Sequence, residues 1–222
     1  MNTSPTRHQE NEMNMESKEL EEEIIEFLNE ASTKPGGKRI KPGCNLIHGK
    51  ACALGTCVDN EPRVTPVDFF NEGMTLWIAG EPGGKIANII RNPKVSIGIY
   101  VQVDHNIEQK SLQAWGKAKV ITLKNDPEEF KKRIKSFDID EVISGVIEEL
   151  AQMGGISEGR EEAVLEKSCK RLNFIKIVLE RVIILHLIPD RPVLKKTWDN
   201  GKVTVKEVVP YVTADLKFYN RL

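Results

Sequence analysis

Residues 62–95 read PRVTPVDFFNEGMTLWIAGEPGGKIANIIRNPKV, and most of what this chain can be turns on them. Pro62–Phe70 and Met74–Ala79 are β-rich runs joined by Asn71-Glu72-Gly73, a short linker of turn type, so the two read as a hairpin. Gly80-Glu81-Pro82-Gly83-Gly84 breaks the second run. Lys85 then opens a segment whose Ile86, Ile89 and Ile90 recur at helical spacing. Asn92-Pro93 ends it, because proline disfavours α geometry in the residue before it. A glycine loop that feeds a helix N-terminus and carries a lysine is physically an anion cradle. Free N–H groups and the positive end of the helix dipole both favour a phosphate there. The plainer reading is a βα turn with a solvated Lys85.

Arg63 strengthens the first reading. It begins the strand that the hairpin would pair with the strand entering the loop, so both cations are expected near one end of the sheet. Arginine supplies a two-pronged donor and lysine a point charge, together a match for a phosphate dianion. Val64-Thr65-Pro66-Val67 between them offers backbone groups and a hydroxyl to a flat polar ring. The loop is not a nucleoside-triphosphate loop, which needs Gly at 79 and Ser or Thr at 86 where this chain has Ala79 and Ile86. Nor does a G-x-G-x-x-G dinucleotide fingerprint open a helix here.

Working outward, Ala51–Val58 is a small-residue strand followed by a turn at Asp59-Asn60. Val95–Val103 and Ser111–Leu123 are further strands. Five strands with mostly short connections and one small helix argue for an antiparallel meander closed as a barrel, and against a doubly wound parallel sheet. Residues 126–172 change character. Asp126 as N-cap, Pro127 at the first helical position and Glu129 at the third mark a helix start, with Phe130, Ile134 and Phe137 following. Val142–Leu150 is a second helix stopped at Gly154-Gly155, and Ser157 begins a third. Strand character returns in Phe174–Leu179 and Val182–Leu187, broken by Glu180-Arg181, and Val203–Val209 reads as a strand or an arm. Upstream, residues 1–15 read as a polar, disordered tail. Ser17 is placed to cap a helix over about 18–30 with an apolar stripe of Leu20, Ile24, Phe27 and Leu28. The expected division is a tail and helix over 1–35, then one barrel domain over 36–222 with a helical insertion at about 126–172.

The chain has 222 residues and a formal charge of -1, which gives no global attraction to nucleic acid or an anionic membrane. No apolar run approaches the roughly 18 residues of a membrane span. The start MNTSPTRHQENEMN has no apolar signal region, so the expected compartment is the cytoplasm, with Cys44, Cys52, Cys57 and Cys169 reduced. Cys44, His48, Cys52 and Cys57 lack the paired spacing of a zinc site, and Cys52 and Cys57 point to opposite faces of a strand, so no metal is expected. The basic loop Lys34, Lys38, Arg39, Lys41 reads as solvated surface. His105 beside Asp104 reads as solvated, and His186 as a core or interface residue. No catalytic triad or paired-carboxylate signature is present. Trp77, Trp115 and Trp198 read as packing anchors, with Trp115 next to Gly116 able to border a planar ligand.

ACALGTCVDNEPRVTPVDFF, TLWIAGEPGGKIANIIRNPKVSI and SLQAWGKAKVI, in that order, resemble successive core segments of the pyridoxamine 5′-phosphate oxidase-like flavin-binding split-barrel family. The likeness covers about residues 45–125 and rests on the order of Arg63, Gly84-Lys85, Asn88, Asn92-Pro93 and Gly116. The strands at 174–188 resemble the family's later ones. The resemblance implies a mainly β fold, a six-stranded antiparallel split barrel with flanking helices. It implies a homodimer with FMN between the subunits, in a site that Arg63 and Lys85 would close on the phosphate. Val64, Thr65, Pro66 and Val67 would line the ring, Ile78 and Ala79 would face it, and Asn88 would lie on the cofactor-side helix. Ser111 and Gln113 would come from the neighbouring subunit. The implied activity is an oxidoreductase cycling its flavin between a reduced pyridine nucleotide and an acceptor. The alternatives are a non-catalytic flavin store or sensor, or a deazaflavin- or haem-binding member, with His48 or His186 as axial ligand. The chain ends KFYNRL and lacks the oxidase's own Arg-Leu-x-Pro ending, so pyridoxamine phosphate itself is not the expected substrate. Gly83 and Gly84 stand where the family often has a further Ser or Arg, which shifts phosphate binding onto Arg63, Lys85 and backbone N–H groups.

Overall fold

The computed structural model describes residues 7–31, 51–102, 109–136, 139–157, 159–160, 163–164, 167–168, 171–187 and 192–208. Among them the chain forms nine antiparallel strands and four helices. Strands β1 (Ala51–Val58) and β2 (Glu61–Asp68) make a hairpin over their whole length. Its turn is formed by Asp59 and Asn60, both in the left-handed region (φ 52° and 64°) that these residue types tolerate best. The short β3 (Phe70–Glu72) pairs instead with β4 (Thr75–Gly80), across a turn in which Gly73 takes φ 56°. This corrects the single strand expected over Pro62–Phe70. The chain changes partner at Phe69, whose ring is fully buried in the barrel core, while Phe70 turns to the other face.

Sheet order is β2-β1-β5-β6-β7-β4-β3, with β5 at Lys94–Gln102, β6 at Gln109–Ile121 and β7 at Asn173–Leu187. The two ends of this path curl round until β2 touches β4, giving a barrel split along that seam. Inward residues alternate with outward ones, as the pleat requires. On β6, Leu112, Ala114, Ala118 and Val120 are inside, and Gln113, Trp115, Lys117 and Lys119 outside. β7 is one 15-residue strand and not two. Ile175, Ile177 and Leu179 face the core, then Val182 and Ile184 do, so the phase moves from odd to even positions. A bulge does this: Trp115 pairs with Arg181 but Gly116 with Leu179, which leaves Glu180 over. Gly116 is required there, because a Cβ on it would sit 2.2 Å from the Val178 carbonyl oxygen. Strands β8 (Val193–Asp199) and β9 (Lys202–Val208) extend the sheet beyond β7; β8 was not foreseen.

Helix α1 runs from Arg7 to Ala31, so residues 7–15 are helical and not a disordered tail, and Ser17 lies inside the helix. The Ser17 hydroxyl donates to Glu21 Oε1 at 3.2 Å instead of capping a terminus. Leu20, Ile24, Phe27 and Leu28 pack into the same core as the barrel strands, so this helix belongs to the domain. Trp198 Nε1 donates to Glu21 (2.9 Å) and Lys196 pairs with Glu23 (2.6 Å), fixing its register. In the insertion, α3 (Pro127–Ser136) begins as expected, with the Glu129 N–H donating to Asp126 Oδ1. α4 (Ile139–Gln152) closes with Gly154 at φ 75° and the Gly155 N–H on the Leu150 carbonyl, a glycine-terminated helix end. The expected third helix falls largely outside the described residues. Phe130 of α3 packs with Phe70, Trp77, Ile121 and Phe174 in a second apolar cluster on the outer side of β3, β4 and β7. Among the described residues no helix is long and apolar enough to cross a membrane.

Candidate functional site

The glycine turn after β4 leads into α2, Gly84–Arg91. Ile86 and Ile89 bury its apolar face against the barrel, so the helix lies flat across β1 and β6. Two asparagines pin it. Asn88 Nδ2 donates to Thr56 Oγ1 of β1 at 3.1 Å, and Asn92 Nδ2 donates to the Cys57 carbonyl at 2.8 Å. Its N-terminus has no side-chain cap and no acidic residue in the first turn. The early N–H groups are therefore available to an anion.

Both expected cations converge here, though not by the expected route. β2 is hydrogen-bonded to β1, not to β4, so Arg63 reaches the loop across the barrel's seam. Its guanidinium covers Gly84: a Cβ on that glycine would lie 2.7 Å from Nη1 and 2.9 Å from Cζ. Lys85 folds back over Gly80, with Nζ and Cε 3.3 Å from the position of a Cβ there. The two glycines thus give the cations room to lie on the loop backbone. Neither Arg63 nor Lys85 has an ion pair or hydrogen bond among the described residues. Next along β2, Thr65 Oγ1 is buried without a hydrogen-bond partner among those residues, and an orphaned hydroxyl is a cost unless something bonds it. Val67 packs on the core, while Val64 (68% exposed) and Pro66 turn outward.

Other expected site residues sit elsewhere. Ile78 is fully buried in the main core, and Ala79 packs on the outer cluster beside α3, so only their backbone is free to serve a ligand. Asn88 has spent one amide donor on Thr56. Ser111 and Gln113 lie on the outward face of β6, paired with Tyr100 and Gly98 of β5. That face is poorly covered. Tyr100 is 61% and Trp115 39% exposed, over a floor of small residues at Ala53, Gly55 and Gly98. The Arg181 guanidinium stacks over the Trp115 ring at 5.1 Å.

The sequence reading missed Arg91. It stands in the last turn of α2, its Nη2 2.6 Å from Asp59 Oδ2 in the β1–β2 turn. Between α2 and that turn lies a cavity of about 330 Å³, lined by Asp59, Glu61, Pro62, Arg63, Asn88 and Arg91. The signal was present in the spacing, since Gly84, Asn88 and Arg91 share one helical face.

Of the cysteine cluster, Cys44 and His48 lie outside the described residues, as do His105, Cys169 and the basic loop at 34–41. Cys52 is buried and Cys57 half-buried on the opposite face of β1. Burial pushes the Cys52 thiol up to about 12, and the Asp68 carboxylate adds to this, so it is a packed thiol and not a nucleophile. Burial likewise raises Asp68. His186 borders a small cavity with Glu23, Glu26 and Lys110, at the foot of α1 and away from the cradle.

Residues 46–149 match the family model described as pyridoxamine 5′-phosphate oxidase. No curated protein matches the chain at a significant level. Among solved structures, PhzG from Burkholderia lata, in complex with tetrahydrophenazine-1-carboxylic acid, superposes with a TM-score of 0.50 at 12% identity, covering 72% of this chain and 82% of PhzG. An FMN-binding, pyridoxamine 5′-phosphate oxidase-related protein from Nostoc punctiforme gives 0.45 at 15% identity, covering 72% and 87%. An FAD-binding protein from Mesorhizobium loti gives 0.43 at 17%, covering 62% and 86%. Residues 46–149, just under half of the chain, thus resemble the pyridoxamine 5′-phosphate oxidase model, and the chain shares its split-barrel fold with PhzG.

Proposed function

We propose that this chain binds a flavin by its phosphate, as FMN, and acts as an oxidoreductase between a reduced pyridine nucleotide and a small acceptor. The observation that carries the reading is the meeting of Arg63 and Lys85 on the glycine turn at the uncapped start of α2. Arg63 would take two phosphate oxygens and Lys85 a third, with helix N–H groups behind them. Thr65 would give its orphaned hydroxyl to the ring edge, and the backbone of Val64 to Val67 would align it. A bound flavin supplies the hydride chemistry, while these residues bind and orient it.

The other half of the site is proposed to come from a second copy. The outward face presents the large exposed side chains Val64, Tyr100 and Trp115 over a floor of small residues, a surface suited to a self-complementary interface. A homodimer across it would carry Ser111 and Gln113 to the partner's flavin. Freshly purified protein should be yellow, should bind FMN more tightly than riboflavin and should run as a dimer in light scattering. NADH or NADPH should bleach the flavin in stopped flow. A protein that takes up no FMN in a titration would sink the reading. Bound flavin that several reduced donors leave oxidised would leave a flavin binder in place of an enzyme.

A further inference from the structure

The cavity between α2 and the β1–β2 turn begins where the phosphate cradle ends. Arg63 lies against the first helical residue of α2 and also lines the cavity. From there Gly84, Asn88 and Arg91 follow one face of α2 for seven residues, about 10 Å at 1.5 Å per residue. Opposite them stand Asp59, Glu61 and Pro62 of the hairpin. The Asn88–Thr56 and Asn92–Cys57 bonds hold the helix on β1 and so fix the width of this groove. The ring site proposed along Val64 to Val67 runs from Arg63 the other way. The groove is therefore on the far side of the phosphate from the ring, where an FMN monoester would put nothing.

We propose that this groove is a second subsite, and that it receives a group joined to the phosphate through a further anionic link, as in a diphosphate-linked flavin dinucleotide. This rests on the cradle reading. Arg91 would bind the second phosphate. At present it is paired with Asp59, but both side chains are largely exposed (60% and 73%), and an exposed pair is readily exchanged for the two non-bridging oxygens of a singly charged phosphate, which a guanidinium meets with two donors. Glu61, opposite Arg91, would then accept hydrogen bonds from sugar hydroxyls. The mixed charge of the groove, two arginines against two carboxylates, fits a ribosyl diphosphate better than a bare second anion.

The test titrates the full chain, freed of bound flavin, with riboflavin, FMN and FAD, following flavin fluorescence. FAD should bind within about tenfold of FMN, both well above riboflavin. Arg91→Ala should weaken FAD by roughly fivefold or more while leaving FMN within about twofold, as expected for loss of a charge-assisted bond to one ligand only. Asp59→Asn keeps a residue that tolerates the left-handed turn and frees Arg91, so it should tighten FAD and not FMN. FMN bound while FAD is excluded, or FAD affinity indifferent to Arg91→Ala, overturns the subsite and leaves the cradle standing. Failure of both phosphorylated flavins to exceed riboflavin overturns cradle and subsite together. Melting curves of both variants, altered only at exposed side chains, should match the parent.

Discussion

Arg133 and Arg63 are held by the same protein in opposite ways. Arg133 of α3 is 1% exposed. Its Nε donates to Glu129 at 2.8 Å, its Nη1 to Glu72 of β3, and its guanidinium lies 4.3 Å from the centre of the Trp77 ring. Every face of that charge is answered inside the chain. Arg63 is also placed by packing, flat on Gly84, yet no carboxylate answers it among the described residues. A buried charge must be paired or it costs several kcal/mol. An exposed charge kept unpaired beside uncapped helix N–H groups carries no such obligation and remains available. The first arginine clamps the helical insertion to the β3–β4 hairpin. The second is held by packing alone and keeps its donors available.

The sharpest way to break this contrast is to delete each arginine and ask which property falls. Arg133→Ala should lower stability by about 2–3 kcal/mol, mainly through the cavity left against Trp77, since Glu72 and Glu129 are partly exposed and keep some of their hydration. Urea denaturation would measure it, and a loss under about 1 kcal/mol would mean that water already reaches the cluster. If the variant does not accumulate, Arg133→Met, which fills the space without charge, should recover much of the loss. FMN affinity in any folded Arg133 variant should be unchanged.

Arg63→Ala should do the reverse. Losing charge-assisted bonds worth about 1.5–3 kcal/mol predicts FMN binding weaker by about 10- to 100-fold, with unchanged urea denaturation and unchanged affinity for riboflavin. Lys85→Ala should follow with a smaller loss, as a point charge replaced by solvent. Equal losses for FMN and riboflavin would show that these cations meet the ring and not the phosphate.

The contrast also explains what could be read from the residues. β1 was legible to the residue because Ala51–Val58 is bounded by a turn of Asp59 and Asn60. The convergence of Arg63 with Lys85 was anticipated, but through a hairpin that does not exist. Nothing local marks the exchange of partners at Phe69, because two adjacent phenylalanines, each buried in a different cluster, read as one continuous strand. The same limit applies at Glu180, where a bulge resets the strand's phase and imitates a break. The N-terminal half of α1 has too few apolar residues to show a helical period. Arg133 was the least legible of all. Its hydrogen-bond partner Glu72 is 61 positions away, and a fully buried arginine runs against every compositional expectation.

Gly84→Ala sharpens the comparison at the finest level, because it moves Arg63 without removing it. The new Cβ would fall 2.7 Å from Nη1, too close for the guanidinium to stay. The obstacle is the end of a flexible side chain, so Arg63 swings away at little cost and the fold is kept. Alanine is also the better helix former, by up to about 1 kcal/mol in a helix interior and less in the first turn, so stability should hold or rise slightly. FMN affinity should nonetheless fall, by less than in Arg63→Ala, since a displaced guanidinium meets the phosphate at a poorer angle. In the Arg63→Ala background the same substitution should change FMN affinity little, because its effect passes through that guanidinium. A full-strength FMN complex in Gly84→Ala would mean that Arg63 binds from a different pose. The two losses adding in the double variant would mean instead that the added methyl touches the phosphate itself.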